Sequence, residues 1–203
     1  MGNPILRGFT KLAQFSGRDS RAEFWPYAGI IIALLIVAYF NVALTGIAHA
    51  LSGVAAFRET HPEAVVIQAA PGVHTMRIDW SHPDAPEPDL DVLFIGYAAL
   101  LAAMVLLLGA AVARRLHDRG KSARWGLLPL PFLICAAAFT PVFIGTALTG
   151  ETSGVPLFGL LFLNNLAGLV ACVTLFGMLA LRGTSEPNRH GPAKTPPEAG
   201  DED

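Results

Sequence analysis

Four stretches of the chain are almost uninterrupted apolar residue, roughly Trp25 to Ala50, Leu90 to Ala113, Trp125 to Thr149 and Phe158 to Leu181. Ala, Leu, Ile and Val follow one another in them without strict alternation, the pattern of helices and not of barrel strands. A helix rising about 1.5 Å per residue needs about 20 residues to cross the hydrocarbon core of a bilayer, and each stretch meets that length. A spanning segment must also satisfy its own backbone polar groups. The pattern therefore predicts an all-α integral membrane protein, one membrane domain over residues 1–203 with four transmembrane helices.

The segments between and around the spans are polar. Residues 51–89 form the longest connection, where Val65 to Gln68 and His74 to Trp80 are β-prone runs around a Pro71-Gly72 turn signal. A small hairpin is expected there, with later prolines keeping the rest extended or turned. From Thr184 the chain turns polar and proline-rich, the composition of a disordered tail over about 184–203. At the other end, Phe9, Leu12, Ala13 and Phe15 fit the apolar face of a short interfacial helix. Ser20 and Glu23 have capping-box spacing, while Pro26 implies that the first span either kinks there or begins there. In the third span Pro129, Pro131 and Pro141 are expected to bend the helix. Ala98-Ala102, Gly109-Ala113 and Gly168-Cys172 have the small-residue spacing that lets helices approach closely.

Composition agrees: 53% of the 203 residues are hydrophobic and 15% charged, against about 25% charged in soluble domains. The net charge of −2 hides a segregation, because 12 of the 14 Lys and Arg precede the first span, follow the last, or lie between spans two and three. Since Lys and Arg are retained on the cytoplasmic side, both termini and the 114–124 loop are expected there, with 51–89 and 150–157 outside. The first 24 residues lack an apolar core of signal-peptide length, so the first span reads as an uncleaved anchor. Cys135 and Cys172 sit inside apolar runs as small hydrophobes, with no disulfide, heme or zinc spacing. No cofactor is expected, and no nucleic-acid partner.

Candidate chemistry is concentrated in RRLHDRGKSARW, residues 114–125. Gly120-Lys121-Ser122 looks like the end of a phosphate-binding loop, but that loop needs Gly five positions before Gly120, where Arg115 stands. Gly120 is expected instead to end a helix continuing from span two. His117 and Asp118 are adjacent, hence about 100° apart on a helix, and no nucleophile adjoins them; no catalytic residue is assigned. In the outer loop His61, His74, His82, Asp79, Asp84, Glu87, Asp89 and Asp91 lack a specific ligand spacing, so no metal is assigned. Asn41, Thr140, Asn164 and Asn165 lie about 10–15 Å inside the outer boundary at helical rise. They are expected to form one hydrogen-bonded layer, as glue between helices or as the lining of a path.

Three pieces, FSGRDSRAEFW (15–25), RRLHDRGKSARW (114–125) and GTSEPNRHGP (183–192), together resemble the signatures of a bacterial inner-membrane family, domain of unknown function 805. Pro26, Arg124 and Glu186 depart from its pattern. The resemblance implies an integral inner-membrane protein and carries no established activity. All three motifs fall on the expected cytoplasmic face. They can form a composite basic site in which Arg18, Arg21, Arg114, Arg115, Lys121 and Arg189 hold an anionic group, Glu23 and Asp118 set their geometry, and His117 and Asn188 adjoin them. The plainer alternative is that the basic residues only anchor topology, paired with nearby carboxylates and lipids. The expectation is a non-enzymatic accessory, scaffold or assembly protein contacting anionic lipid headgroups or a membrane-protein partner. Its rival is a small-solute transporter or channel-like protein lined by Asn41, Thr140 and Asn164.

Overall fold

A computed structural model describes residues 3–70, 73–79, 82–86, 89–149 and 154–193. Its elements are α1 (Pro4–Thr10), α2 (Arg21–Thr60), the strands β1 (Val65–Ala70) and β2 (Val73–Ile78), α3 (Asp91–Asp118), α4 (Leu130–Thr149) and α5 (Gly154–Ala180). Short 3-10 turns occupy Pro62–Ala64 and Ala123–Leu127. Four helices are long and apolar enough to cross a membrane.

The helix ends differ from the bilayer-length estimate because terminators, not lipid thickness, set them. The first spanning helix begins at Arg21, where the Ser20 amide donates to Glu23 Oε2 at 2.9 Å in a capping box. Pro26 lies inside it, its missing N–H only six residues past the cap. The helix then runs 40 residues to Thr60, ten beyond the expected boundary. Nothing between Ala50 and Thr60 breaks it until His61-Pro62. At 1.5 Å per residue it is about 60 Å long, roughly twice the hydrocarbon thickness.

The second span continues through Asp118, so Arg114 to Asp118 of the expected loop form the end of α3, as the helix stop at Gly120 implies. Gly120 ends it at φ +67°. The Lys121 amide reaches back to the Leu116 carbonyl at 2.9 Å and the Gly120 amide to that of His117 at 2.9 Å. That is the paired-bond C-terminal motif that left-handed glycine permits. In the third span Pro129 and Pro131 fall at the start of α4, where a missing N–H costs nothing, and only Pro141 lies well inside it. The hairpin is present, antiparallel with Val65 opposite Ile78 and Ala70 opposite Val73; Pro71-Gly72 itself lies outside the described residues.

α2 packs along α3 and α4 along α5, whereas contacts between the two pairs are sparse. Gly96 and Gly46 allow the first approach, since a Cβ would fall 2.4 Å from Val42 and 2.8 Å from Leu93. Gly168 serves the second, 3.1 Å from Phe132 on the same measure. Ala98 and Ala102 are exposed, and Gly109 faces Phe15 across 3.9 Å instead of a helix. Close helix approach therefore uses Gly46 and Gly96 in place of the alanine pair. A buried cluster of Phe24, Tyr27, Ala28, Ile31, Ala111, Leu116 and Leu179 joins α2, α3 and α5 at the end where the three motifs lie.

The short N-terminal helix is α1, which ends at Thr10, so Leu12, Ala13 and Phe15 lie past it and not on its face. It docks through Gly8 on the Tyr27 ring, with Phe9 edge-on to the same ring at 5.3 Å.

Candidate functional site: a buried arginine clasp beside an apolar cleft

Arg114, Arg115 and Asp118 do not lie on an exposed loop. They are 2%, 0% and 0% exposed, and Arg18 and Asp19 from the first motif are buried with them. Burying such charges is costly unless each is paired and its remaining hydrogen-bonding groups are satisfied. Here they are, because an arginine offers five donors in a planar fork.

Arg18 comes from the turn before α2, where Gly17 at φ +91° reverses the chain. Its Nε donates to Asp118 Oδ1 at 3.1 Å, and its two terminal nitrogens donate to the carbonyls of Asp118, Thr184, Glu186 and Gly191. One guanidinium thus ties the first motif to the second and third. Arg115 Nη1 donates to the other Asp118 oxygen at 2.6 Å. Its Nε takes the Leu179 carbonyl at 2.9 Å and its Nη2 that of Leu181. Arg119 adds a bond to the Met178 carbonyl at 3.0 Å. These carbonyls belong to the last turn of α5 and the residue beyond it, where a helix has no internal partners for them and cations are favoured.

Arg114 pairs with Asp19 at 2.6 Å and also donates to the Lys11 and Gln14 carbonyls. Arg7, which precedes the motifs, bridges Asp19 at 2.8 Å and Glu23 at 2.7 Å. Glu23 therefore serves Arg7 and the helix cap. No buried side-chain nitrogen or oxygen among the described residues lacks a partner.

The third motif is held rather than loose. The Thr184 amide donates to the Asp118 carbonyl at 3.0 Å, and Asn188 Nδ2 donates to the His117 carbonyl at 3.1 Å. His117 Nδ1 lies 3.2 Å from the Gly17 carbonyl, and its ring stacks on His190 with centroids 3.7 Å apart and planes 6° apart. Residues 184–193, read from composition as tail, are thus a strap across the motif end of the bundle, because the carbonyls they present meet buried donors. The rest of the expected tail, 194–203, lies outside the described residues. His190 accepts from Arg189 Nε at 3.0 Å. Burial, then the neighbouring His117, Arg189 and Arg18, hold its imidazole below its ordinary pKa.

Of the expected basic site, Arg21, Lys121 and Arg189 remain exposed, while Arg18, Arg114 and Arg115 have turned inward. The sequence reading missed Arg7, Asp19 and Thr184 as partners. Asp19 stands within the first motif and gave a signal; a backbone carbonyl gives none. The plain alternative, arginines paired with nearby carboxylates, describes the buried set: Arg115 has its carboxylate three residues on, whereas Arg18 and Arg114 find theirs about a hundred residues away in sequence.

The intramembrane layer is not one layer. Thr140 donates to Ala136 at 2.6 Å and Asn165 to Leu161 at 2.8 Å, each within its own helix. Asn164 crosses to the Phe132 carbonyl at 3.0 Å. Because Phe143 sits against Phe158 and Phe132 beside Asn164, Thr140 lies eight residues, about 12 Å, from the level of that bond. Asn41 is exposed on α2, beside the Val42 that packs on Gly96. Equal distances along the sequence do not become equal depths when helices start at different levels.

Where the helix pairs diverge, a cleft of about 510 Å³ opens, walled by Phe24, Trp25, Met104, Leu108, Cys172 and Phe176 among others. Among its lining residues Arg124 alone is charged, and it is exposed.

Four membrane-crossing helices, with the segments before the first and after the last clasped to the middle of the chain by buried arginines, define a multi-pass membrane protein built around an internal ion-pair network. The chain belongs to the family described as protein of unknown function (DUF805), whose model matches residues 12–192. No curated protein and no solved structure matches it.

Proposed function

We propose that the protein is a non-enzymatic accessory or scaffold protein of the bacterial inner membrane that holds an anionic phospholipid in the cleft between its helix pairs. The observation that carries this reading is the cleft itself, apolar throughout but for Arg124. Its volume of about 510 Å³ falls within the ~300–1,000 Å³ typical of small-molecule sites. Acyl chains suit the wall; a phosphate suits the planar fork of Arg124. Both termini and the 119–124 connection lie on the cytoplasmic side in this reading, following the bias of Lys and Arg to that end. Exposed Leu6, Phe9 and Phe15 beside α1 then rest at the lipid surface, and exposed Arg21, Lys121 and Arg189 face the headgroups.

The same geometry weighs against the rivals. His117 is engaged by Gly17 and stacked on His190, which suits a strap holder better than a general base. Asn164, Asn165 and Thr140 spend their donors on helix carbonyls at separate levels, which suits packing better than a path.

The test is native mass spectrometry of the full-length protein extracted from nanodiscs holding phosphatidylglycerol and phosphatidylcholine in equal amounts. The wild type should retain the anionic lipid preferentially, and Arg124→Ala should lose most of that preference while keeping its fold. Equal retention of both lipids by the wild type, or an unchanged preference in Arg124→Ala, would overturn the proposal.

A further inference from the structure

At the far end of the molecule from the clasp, three ligand-type side chains converge that lie up to 21 positions apart in sequence. His61 caps the C-terminus of α2, Glu63 sits in the 3-10 turn that follows, and His82 follows β2. One ligating atom of each lies within 4.8 Å of those of the other two. Asp84 Oδ2 stands 3.5 Å from His61 Nε2. We propose that His61, Glu63 and His82, with Asp84 as a fourth ligand, bind a divalent transition-metal ion of the zinc class, which pins the hairpin to the end of α2.

The surroundings orient the rings for this. Phe57, buried on the last turns of α2, stacks on His61 at 4.9 Å and meets His82 edge-on at 5.5 Å, and the two imidazoles are 4.8 Å apart. Thr60 Oγ1 donates to the Ala56 or Phe57 carbonyl, both at 3.2 Å, so its hydrogen is spent on the helix. The same oxygen lies 2.9 Å from His61 Nδ1. In the tautomer protonated at Nδ1 this contact is the outer hydrogen bond that ligating histidines ordinarily make, and Nε2, which faces Asp84, is the ligating nitrogen. His82 Nδ1 accepts the Asp84 amide at 3.2 Å, a long bond that ligation exchanges for the metal through either ring nitrogen.

The donor set selects the ion. Two imidazoles and two carboxylates suit zinc, nickel or copper, whereas calcium and magnesium take oxygen ligands. In a four-coordinate tetrahedral site, ligands at about 2.1 Å from the ion stand about 3.4 Å apart, so donor atoms within 4.8 Å of one another must close by up to roughly 1.4 Å, within reach of side-chain rotation. With neutral imidazoles the carboxylates supply two negative charges, balancing the ion. Binding joins residues 61–63 to 82–84 and so closes the loop that carries β1 and β2.

The experiment uses the full-length protein in detergent, stripped with a chelator and titrated with Co²⁺, then Zn²⁺. One Co²⁺ per chain should give the ligand-field absorption of a four-coordinate nitrogen and oxygen site, bleached by one equivalent of Zn²⁺. His61→Ala and His82→Ala should each weaken Zn²⁺ binding at least tenfold, and Glu63→Gln should do so with the smallest change of shape. His49→Ala, which removes an exposed histidine paired with Asp89 at 3.4 Å, should bind as wild type does. Zn²⁺ should also slow proteolysis of the hairpin in the wild type and in His49→Ala, and not in the His61, Glu63 and His82 variants. Absence of the cobalt absorption, or equal loss in His49→Ala and His82→Ala, would overturn the site.

Discussion

Replacing Asp118 with Asn separates a structural clasp from a surface anchor. The carboxylate is fully buried and accepts from Arg18 on one oxygen, at 3.1 Å, and from Arg115 on the other, at 2.6 Å. Asparagine keeps the volume but supplies one acceptor and turns an NH₂ group toward the second guanidinium, donor facing donor. An exposed ion pair is worth about 0–1 kcal/mol, whereas stripping a buried charge of its partner costs about 3–5 kcal/mol. The folded-to-unfolded ratio should therefore fall by about two to three and a half decades, at about 1.4 kcal/mol per tenfold. Denaturant unfolding of the full-length protein in micelles, followed by circular dichroism, measures the loss. Hydrogen exchange at the Thr184 amide, which donates to the Asp118 carbonyl at 3.0 Å, reports whether the strap lifts. An Arg18→Ala, Asp118→Ala cycle should show a coupling of about 0.5–3 kcal/mol. If Asp118→Asn stays within about 1 kcal/mol of wild type and Thr184 remains protected, the pairs are not holding the fold together.

Gly183→Ala should damage the same clasp from the other side, because a Cβ would fall 1.9 Å from Asp118 Oδ2 and 2.6 Å from its Cγ. An overpacking loss of about 1–3 kcal/mol is expected in the unfolding assay, with Gly177→Ala, whose Cβ meets nothing within 4 Å, as the silent control. His190 makes the strap sensitive to acid. Its folded pKa lies below the 6.5 of the unfolded chain, so the unfolded state binds the proton first; its contribution is intact above that value and is lost as pH falls through it. Protection of the His190 amide, taken relative to its intrinsic exchange rate at each pH, should fall as pH drops below about 6.5, and His190→Phe, which keeps a ring on His117, should flatten the curve; identical curves would refute this. Asn164→Leu should cost about 0.6 kcal/mol and at most about 1.7, the range for hydrogen bonds between membrane helices; a loss of several kcal/mol by the same unfolding measurement would show a larger role.

The spans were legible because the bilayer imposes a length that composition displays directly. The hairpin and the Gly120 stop were legible because each rests on a local backbone requirement. The helix end at Thr60 was not, since the expected boundary followed lipid thickness while the chain followed its next breaker. The fate of Arg114 and Arg115 was hidden for a different reason. The positive-inside bias registers where a cation sits along the chain, not that Asp19 and the Thr184 strap return to it from 95 and 70 residues away. Three motifs sharing one end of the bundle suggested proximity; their burial depended on backbone carbonyls, which every residue has and no sequence pattern marks.

The clasp also sets an order of events during synthesis. Arg115 and Asp118 leave the ribosome long before Leu179, Leu181 and Thr184, the residues that supply the acceptors for one and the last bonds around the other. Until the fourth helix has inserted and the strap has followed it, the end of α3 carries guanidinium donors with no protein acceptor but Asp118 and the segment that precedes α2. Assembly thus finishes at the strap, and a nascent chain halted before Gly183 would present its unfinished arginines to whatever quality-control machinery patrols the membrane surface.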